Sequence, residues 1–392
     1  MKNRVKIPKL LFFQEGPGVR NYQYTTEGVK LLNVANLVNG NLDLSTSERY
    51  ISEEEAYGKY KHFLCDEGDL IIASSGIKVD YFDKKMGFVK PEHLPLCMNT
   101  STIRFKSLDR EVLDINYFMY FLKSQAFKKQ LARQITGSAQ LNFGPSHLSK
   151  MSFSLIDMED QINIVKQLGK IELIIEMKTK QIQEYDQLIK SRFVEMFTDI
   201  NLNVKKDNWI KLGKITEIVT GTTPSTNDET NWDGKYLWIT PAELNDDSFY
   251  VYDTNRKITD KGLASKSLRI MPVDTVLLST RAPIGKTAIV GNPMTCNQGF
   301  KNFICGDNLN PIYLFSLLKF NKDYLNSIGT GTTFKEISKT TISNVEIPVP
   351  SINLQNEFAK FVQQIDKLKF EVQKSLDESQ TLFDSLMQEY FG

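Results

Sequence analysis

The chain has 392 residues, of which 41% are hydrophobic and 24% are charged, so its composition is that of a globular protein and its length predicts two or three domains. Its 48 basic and 47 acidic side chains give a net charge of +1, which excludes a strongly basic protein but allows locally clustered Lys and Arg. The four cysteines lack the spacing of a metal or redox pair, and no apolar run reaches about eighteen residues. We expect a cytoplasmic protein with reduced thiols, no membrane span and no signal peptide.

The first part of the chain, to about residue 157, is predicted to be rich in strands. Turn signals such as Gly16-Pro17-Gly18 separate short apolar runs such as Leu70–Ala73, which is typical of short strands. A helix is predicted over Ile115–Gln134, where aromatic and leucine residues keep helical spacing, and Thr136-Gly137-Ser138 is expected to end it. This part is predicted to form the first globular domain.

A long helix is predicted to follow, because apolar residues recur every seven positions from Asp160 to Phe197. At the usual rise per residue it would be about 55–60 Å long. Lys178 and Arg192 interrupt the apolar seam, and such interruptions can fix the register of a helix pair. The apolar seam positions are Leu168, Ile171, Ile175, Ile182, Tyr185 and Ile189.

The last forty residues repeat this helix. Gln161 and Gln355 are 355 − 161 = 194 positions apart, and the same offset joins many identical residues of the two stretches. The copies are predicted to match at this offset without gaps from about Asn116 onwards, which pairs the short helix above with one over Pro311–Leu325. The second seam, interrupted by Lys369 and Ser379, consists of Phe358, Val362, Ile365, Val372, Leu376, Phe383 and Leu386.

The predicted organisation is a repeated plan in which a strand-rich domain precedes each long helix. The second copy contains a strand over Thr275–Ser279 in the place of Leu70–Ser74. A polar connector at 199–207 gives the clearest boundary. The predicted segments are residues 1–157 and 200–351 for the two domains, and residues 158–199 and 352–392 for the two long helices.

One motif, Gly285-Lys286-Thr287, resembles the end of a phosphate-binding loop. Thr280 stands where that motif has its first glycine, and Ala288–Pro293 predicts a strand and a turn where the motif requires a helix. An NTPase built on this motif is therefore an alternative that the context disfavours. A coiled-coil scaffold that binds only proteins is a second alternative.

Loops in the divergent parts of the two domains are the candidates for a nucleic-acid interface. Arg, Asn, Gln, Ser and Thr can make directional hydrogen bonds to base edges, whereas Lys mostly contacts phosphates. The same residue types are common in ordinary turns, so we expect only part of the set to contact DNA. The candidate DNA-binding residues are Arg20, Asn21, Tyr22, Ser75, Lys78, Lys84 and Lys85 in the first domain, and Thr222, Thr223, Arg281, Lys286, Asn297, Gln298 and Lys301 in the second.

These segments resemble the specificity subunits of type I restriction-modification systems. The resemblance extends over essentially the whole chain, including Ile7–Leu10 near the start and both long helices. The motifs that carry it in the second domain are Lys211–Ile215, Gly221–Ser225, Trp238–Pro241, Arg281–Gly285, Asn297–Phe300, and Ile347–Pro350 followed by Gln355.

The resemblance implies an α/β fold of two strand-rich target-recognition domains in a pseudo-two-fold arrangement, joined by two long antiparallel coiled-coil helices. It implies that each domain reads one half of a bipartite double-stranded DNA site and that the helix pair sets the gap. The chain itself would be non-catalytic and would hold neither cofactor nor metal. Its partners would be two modification subunits, which use S-adenosylmethionine to methylate adenine, and restriction subunits, which use ATP and Mg²⁺.

The first domain departs from the family pattern at two places. Ser74-Ser75-Gly76 stands where the second domain has Arg281–Gly285, and Leu155-Ile156-Asp157 replaces a Pro-x-Pro segment before the long helix. The DNA contacts of one domain are therefore not expected to transfer residue by residue to the other.

Overall fold

The computed structural model describes residues 3–134, 141–197, 209–245, 249–331 and 335–392. The predicted helix stop at 136–138 and the predicted connector at 199–207 lie outside the described residues. None of the helices in the described ranges combines the length and apolar composition needed to cross a membrane.

The chain forms two compact units. The first comprises Met1–Lys178 and Ser375–Gly392, and the second comprises Thr179–Lys374. Because the division falls within both long helices, each unit contains one globular domain and part of each helix. The segments predicted from the sequence instead separate the helices from the domains.

The secondary-structure elements are named here in chain order. Those up to the end of the first long helix are β1 (Asn3–Lys6), β2 (Leu11–Glu15), β3 (Tyr24–Thr25), β4 (Val29–Leu32), β5 (Leu37–Val38), β6 (Asn41–Leu42), β7 (Tyr50–Ile51), α1 (Glu53–Tyr57), β8 (Leu70–Ala73), β9 (Ser75–Ile77), β10 (Met86–Phe88), β11 (Leu96–Met98), β12 (Thr102–Ser107), α2 (Ile115–Lys123), α3 (Gln125–Gln134), β13 (Leu141–Asn142), α4 (Pro145–Leu148), β14 (Ser152–Leu155) and α5 (Met158–Phe197).

The second copy follows the same plan. Its elements are β15 (Trp209–Lys211), α6 (Leu212–Ile215), β16 (Thr216–Thr220), β17 (Trp232–Ile239), β18 (Tyr250–Val251), β19 (Arg256–Ile258), α7 (Asp260–Ser265), β20 (Val276–Leu278), β21 (Thr287–Val290), β22 (Met294–Cys296), β23 (Lys301–Cys305), α8 (Pro311–Phe320), α9 (Lys322–Ile328), α10 (Lys339–Ser343), β24 (Glu346–Pro348) and α11 (Ile352–Phe391).

The two domains share one sheet topology. The main sheet has the order β10-β8-β12-β2 in the first unit and β21-β20-β23-β16 in the second, where β18 lies beside β21. In the smaller sheet β4 pairs in parallel with β11 and antiparallel with β7, and β17 pairs in the same way with β22 and β19. A ribbon of β1 with β14, or of β15 with β24, precedes each long helix. The predicted repetition of a strand-rich domain is therefore confirmed.

The central strands of the main sheets are buried throughout. Leu70–Ala73 and Val276–Leu278 are 0% exposed at every position. Strands that are covered on both faces have continuous runs of apolar residues, whereas in half-exposed strands apolar and polar residues alternate. The apolar runs in the sequence therefore predict these two strands, which occupy corresponding places as expected.

The repeat is not gapless, which corrects the prediction of a single offset from Asn116 onwards. Tyr117 and Tyr313 are both buried, and their hydroxyls donate to the carbonyls of Ser154 and Pro348 at 3.1 and 3.0 Å. The tyrosines are 313 − 117 = 196 positions apart, whereas their acceptors are 348 − 154 = 194 positions apart. The second domain is therefore two residues shorter between this helix and the strand that receives the hydrogen bond.

Each predicted short helix is in fact two helices. Ser124 separates α2 from α3, because its hydroxyl donates to the Phe121 carbonyl at 2.6 Å and accepts the Phe127 amide at 3.3 Å. Asn321 separates α8 from α9, and its side-chain amide donates to the Leu317 carbonyl at 2.8 Å. Such local side-chain bonds compete with the bonds of a continuous helix, so helical spacing alone does not reveal the breaks.

The long helices α5 and α11 each have 40 residues, and every seam position named above is buried or half-buried. In the first unit they run antiparallel: the Tyr390 hydroxyl donates to Gln167 at 2.6 Å, and Lys178 donates to Ser379 at 2.9 Å. The seam side chains of this unit also join the core of the first domain, where Leu168 packs in the same cluster as the domain's aromatic residues. In the first unit, the helix pair and the globular domain therefore share one hydrophobic core.

The second unit is built in the same way. Lys369 pairs with Asp186 at 2.6 Å, and Arg192 pairs with Glu357 at 3.3 Å, so the helices are again antiparallel. Phe358 lies in the core of the second domain. Two of the polar seam interruptions, at Arg192 and Lys369, therefore have oppositely charged partners across the pair.

Gln161 and Gln355 fasten each long helix to its domain. Both side chains are 0% exposed, and each accepts one backbone amide and donates to two backbone carbonyls. Each glutamine therefore ties three backbone groups of the preceding segment to the start of a long helix. The partners, at 2.7–3.1 Å, are Asp114, Val112 and Ile156 for Gln161, and Asn310, Asn308 and Pro350 for Gln355.

Candidate functional site

A glycine begins a corresponding loop in each domain, and we call residues 16–20 and 221–225 the glycine loops. A Cβ at Gly16 would lie 2.0 Å from the Asn99 carbonyl oxygen, and a Cβ at Gly221 would lie 1.9 Å from the Cys296 carbonyl oxygen. Only glycine permits this approach. Each glycine loop is thereby held against the backbone at the end of β11 or β22, and several sequence-predicted residues come together there.

In the second unit three predicted residues meet at this place. The Thr223 hydroxyl donates to the side-chain oxygen of Gln298 at 2.6 Å. Gln298 is exposed, whereas the Asn297 side chain turns inward and accepts the Gly299 amide at 2.8 Å. Thr223 and Gln298 therefore form a surface pair, and Asn297 shapes the turn that presents them.

Two tryptophans that were not among the candidate DNA-binding residues hold the second glycine loop. Trp232 Nε1 donates to the Ser225 carbonyl and Trp238 Nε1 donates to the Thr222 carbonyl, both at 3.1 Å. The two buried rings pack edge to face with centroids 5.0 Å apart. Among the described residues, the buried Thr222 hydroxyl has no hydrogen-bond partner. The signal available in the sequence was the pair of indoles beside a turn, since a buried indole N–H needs an acceptor.

In the first unit the last residue of the glycine loop and the residues after it form an exposed turn. Arg20, Asn21 and Tyr22 lie at the surface, and 86% of Tyr22 is exposed. Gln23 anchors this turn by accepting the Arg20 amide at 3.0 Å and by donating to the Glu55 carboxylate at 2.6 Å. The three predicted side chains are therefore presented to solvent on a fixed backbone.

Three further candidates follow strand β8. Ser75 is half-buried, whereas Lys78 and Lys84 are exposed. The Lys84 ammonium lies 5.5 Å from the centroid of the Tyr81 ring, which is itself 54% exposed. A cation beside an exposed ring suits contact with a phosphate backbone and a stacked base. The position of these residues is therefore consistent with an interface, and their role remains a prediction.

Lys85 and Lys286 occupy the same place in the two domains, directly before β10 and β21. The Lys85 ammonium donates to the Leu37 carbonyl at 2.8 Å. The Lys286 ammonium donates to the carbonyls of Leu244 and Pro241. Because backbone carbonyls of the fold hold both ammonium groups, the geometry gives these lysines a structural role, and their contact with DNA stays a prediction. They fasten neighbouring segments of each domain to one another.

Glu336 holds two predicted cations of the second unit. Arg281 Nε donates to its Oε2 at 3.0 Å, and Lys301 Nζ donates to its Oε1 at 3.4 Å. Burial raises the pKa of Glu336, but the hydrogen bonds and charges of Arg281 and Lys301 outweigh this and hold that pKa below its ordinary value. The Lys301 side chain is only 8% exposed, which leaves little of it for a DNA contact, whereas Arg281 is 47% exposed, and the DNA contacts of both stay predictions.

The phosphate-loop alternative is not supported by the fold around Lys286. Thr287–Val290 is strand β21, so the helix N-terminus that would receive a phosphate does not follow the motif. The ammonium that would bind the phosphate is directed to backbone carbonyls. The NTPase interpretation therefore lacks both of its essential parts.

The chain matches the family model described as "Type I restriction modification DNA specificity domain" over residues 20–185 and 206–379. It is 39% identical over 186 residues to the type I restriction enzyme MjaIX specificity subunit of Methanocaldococcus jannaschii, and the alignment covers 46% of this chain and 43% of that relative. It is 23% identical over 297 residues to a putative type I restriction enzyme MjaX specificity subunit of the same organism, covering 71% of this chain and 67% of that relative. The alignment with the MjaIX subunit thus spans less than half of either protein.

Two solved structures resemble the chain over nearly its whole length. The crystal structure of a type I restriction-modification S subunit from M. genitalium has a TM-score of 0.59 at 15% identity, covering 100% of this chain and 96% of that one. A structure from a study of complex assembly and conformational transition of the type I R-M system has a TM-score of 0.56 at 16% identity, covering 99% and 97%. At these identities the likeness shows a shared fold.

Proposed function

Because the chain belongs to the family of type I restriction modification DNA specificity domains, we propose that it is the sequence-specific DNA-recognition subunit of a type I restriction-modification complex. Each globular domain reads one half of a bipartite double-stranded DNA site. The helix pair formed by α5 and α11 sets the gap between the two halves. The two halves can differ in sequence because the two domains present different loops.

One observation carries this proposal: the two domains share their scaffold contacts but not their surface chemistry. Lys85 and Lys286 make the same contact to the carbonyls of Leu37 and Leu244. Near the glycine loops, in contrast, the first unit presents Arg20, Asn21 and Tyr22, and the second presents Thr223 with Gln298. A common scaffold with different hydrogen-bonding side chains suits two readers of different base sequences.

We further propose that the chain acts in the cytoplasm and recruits two modification subunits, which use S-adenosylmethionine to methylate adenine. Restriction subunits that use ATP and Mg²⁺ would complete the complex, and the chain itself would be neither an enzyme nor a cofactor carrier. Large apolar side chains on the outer faces of the long helices support a docking role. Leu173 and Met177 on α5 are 56% and 62% exposed, and Phe370 on α11 is 68% exposed.

The proposal is tested by selecting bound sequences from random duplex DNA with the reconstituted complex of this chain and its modification subunits. We expect a bipartite motif whose two halves are separated by one fixed gap. Modification subunits without this chain are the control and should enrich no motif. Selection of no motif by the full complex would favour the alternative of a coiled-coil scaffold that binds only proteins.

A further inference from the structure

Two arginines occupy corresponding positions in the small sheets of the two domains. Arg49 lies three residues before Ser52, whose hydroxyl caps the N-terminus of α1, and Arg256 lies three residues before Thr259, which caps α7 in the same way. The strand register agrees with this correspondence, because each arginine lies opposite the central strand of its sheet. The Leu31 amide donates to the Arg49 carbonyl at 2.9 Å, and Trp238 pairs with Arg256.

Both guanidinium groups lie over an aromatic ring that also occupies a corresponding position. The guanidinium carbon of Arg49 is 5.3 Å from the centroid of the Tyr24 ring, and that of Arg256 is 3.5 Å from the centroid of a Trp232 ring. Tyr24 and Trp232 correspond because each pairs across the sheet with a fully buried isoleucine two residues after the arginine. These isoleucines are Ile51 and Ile258.

The same aromatic residues connect the arginines to the glycine loops. The Tyr24 hydroxyl donates to the Val19 carbonyl at 3.5 Å, within the first glycine loop. Trp232 Nε1 donates to the Ser225 carbonyl at 3.1 Å, within the second. Each aromatic side chain therefore makes two contacts: a hydrogen bond to the backbone of its glycine loop, and stacking with the guanidinium of its arginine.

Within the described part of the chain, no carboxylate neutralises the positive charge of either arginine. Arg49 and Arg256 are exposed, and neither pairs with a carboxylate among the described residues. Arg281 and Arg269, in contrast, are held by Glu336 and Glu217. A guanidinium stacked on a ring keeps the N–H groups at its edge available for a planar anion, and the stacking reduces the freedom that binding must remove.

We propose that Arg49 and Arg256 are a matched pair of DNA phosphate contacts, one in each domain, that hold the backbone beside the glycine loop. This inference rests on the proposed function and names a contact that the sequence analysis did not predict. The feature is common to two domains whose loops otherwise differ. An arginine contact common to both domains should therefore bind a part of DNA that both half-sites share. The phosphodiester backbone is that part, because it does not vary with base sequence.

The test uses the complex of the full chain with its modification subunits and compares Arg49→Gln, Arg256→Gln and the double variant. Binding is measured against the selected bipartite site, against sites with single base changes in either half, and over a range of salt concentrations. Each substitution should weaken binding by a similar factor on all of these sites. Each should also reduce the slope of log affinity against log salt by about one. The double variant should reduce that slope by about two.

Arg110→Gln is the matched control, because Arg110 is also exposed but lies over no aromatic ring among the described contacts. It should leave affinity and salt slope unchanged. Arg49→Lys and Arg256→Lys keep the positive charge but lose the planar guanidinium, so they should retain most of the salt dependence of binding. Thermal melting of every variant checks that the fold is kept.

Two outcomes would overturn the inference while the parent complex still selects a bipartite site. Variants with unchanged affinity and salt slope would show that these arginines do not touch DNA. A changed base preference in one half would make them base readers instead. If the parent complex selects no bipartite site, the proposed function fails first, so the two failures are distinguishable.

Discussion

The Lys178 ammonium donates a hydrogen bond to the Ser379 hydroxyl at 2.9 Å, so a polar interruption in the seam of α5 meets a polar interruption in the seam of α11. The same ammonium donates to the hydroxyl and the carbonyl of Ser375 at 2.6 and 2.9 Å. All three of its N–H groups are thereby used. A slipped register would place these groups against apolar side chains, so the contact specifies the alignment of the two helices within the first unit.

We predict that Lys178→Met destabilises the chain. The substitution keeps most of the stem but removes three hydrogen bonds from a charged donor, which should cost about 1–3 kcal/mol. Lys180→Met is the control, because that side chain is 74% exposed and its one ion pair among the described residues is with Glu184 on the same helix. Its effect should stay below about 0.5 kcal/mol. Denaturant unfolding of the full chain measures both, and equal midpoints would contradict the prediction.

A second prediction concerns the buried glutamines that fasten the long helices. Gln161→Leu and Gln355→Leu would each remove three hydrogen bonds to the backbone, and each such bond contributes about 0.5–1.5 kcal/mol. Both variants should therefore lower the unfolding midpoint clearly and by similar amounts. Gln364→Leu, at an exposed position of α11, should have little effect. An undiminished midpoint in either buried variant would show that water replaces the lost contacts.

A third prediction concerns the first glycine loop. Gly16→Ala would place a Cβ 2.0 Å from the Asn99 carbonyl oxygen, so the loop must move away from the turn it contacts. We expect a loss of about 1–3 kcal/mol of stability, as for other overpacked sites, and weaker recognition of one half-site only. Gly18→Ala, two residues later, has no atom within 4 Å of its Cβ and should behave like the parent chain. Identical behaviour of the two variants would argue against a fixed loop.

A fourth prediction concerns the cysteines. Burial raises the pKa of the thiols of Cys97, Cys296 and Cys305 to about 12, and it also raises the pKa of Cys65. At pH 8 a thiol of pKa about 12 is ionised in roughly one molecule in ten thousand, so alkylation of the native chain should be far slower than that of the unfolded chain. Fast labelling of native chain would contradict this burial.

The same shifts predict how stability changes at high pH. Because the folded thiols hold their protons more tightly than unfolded ones, their contribution is complete below the ordinary cysteine pKa near 9.0 and is lost as the pH rises towards 12. The expected observation is a melting temperature that falls across this range. Replacing Cys97 by Ala should reduce that fall, which separates the thiols from other groups that titrate there.

The secondary-structure elements that require a regular spacing of apolar residues are predictable from the sequence. The seven-residue pattern identifies both long helices, because a seam repeats the same apolar requirement at every turn. The apolar run Leu70–Ala73 likewise identifies a buried strand. The breaks at Ser124 and Asn321 are not predicted, since local side-chain hydrogen bonds end one helix and begin the next.

The site is less predictable, because its side chains act across the sheet. Nothing local distinguishes Lys85, which is tied to a carbonyl of the fold, from its neighbour Lys84, which is exposed beside a ring. Arg49 and Arg256 are 256 − 49 = 207 positions apart, so a search at the helix offset of 194 does not pair them. Their correspondence becomes visible only through strand register and helix caps.

The central claim is that two corresponding domains each read one half of a DNA site, and methylated adenines mapped across the genome of a host carrying the modification subunits test it most directly. The host would carry either this chain or its Thr223→Val, Gln298→Leu variant, which changes the exposed pair of the second unit. We predict a bipartite methylated motif for the parent chain, and for the variant a change in one half with the other half and the gap retained. Methylation without a bipartite motif, or a change in both halves, would contradict the account.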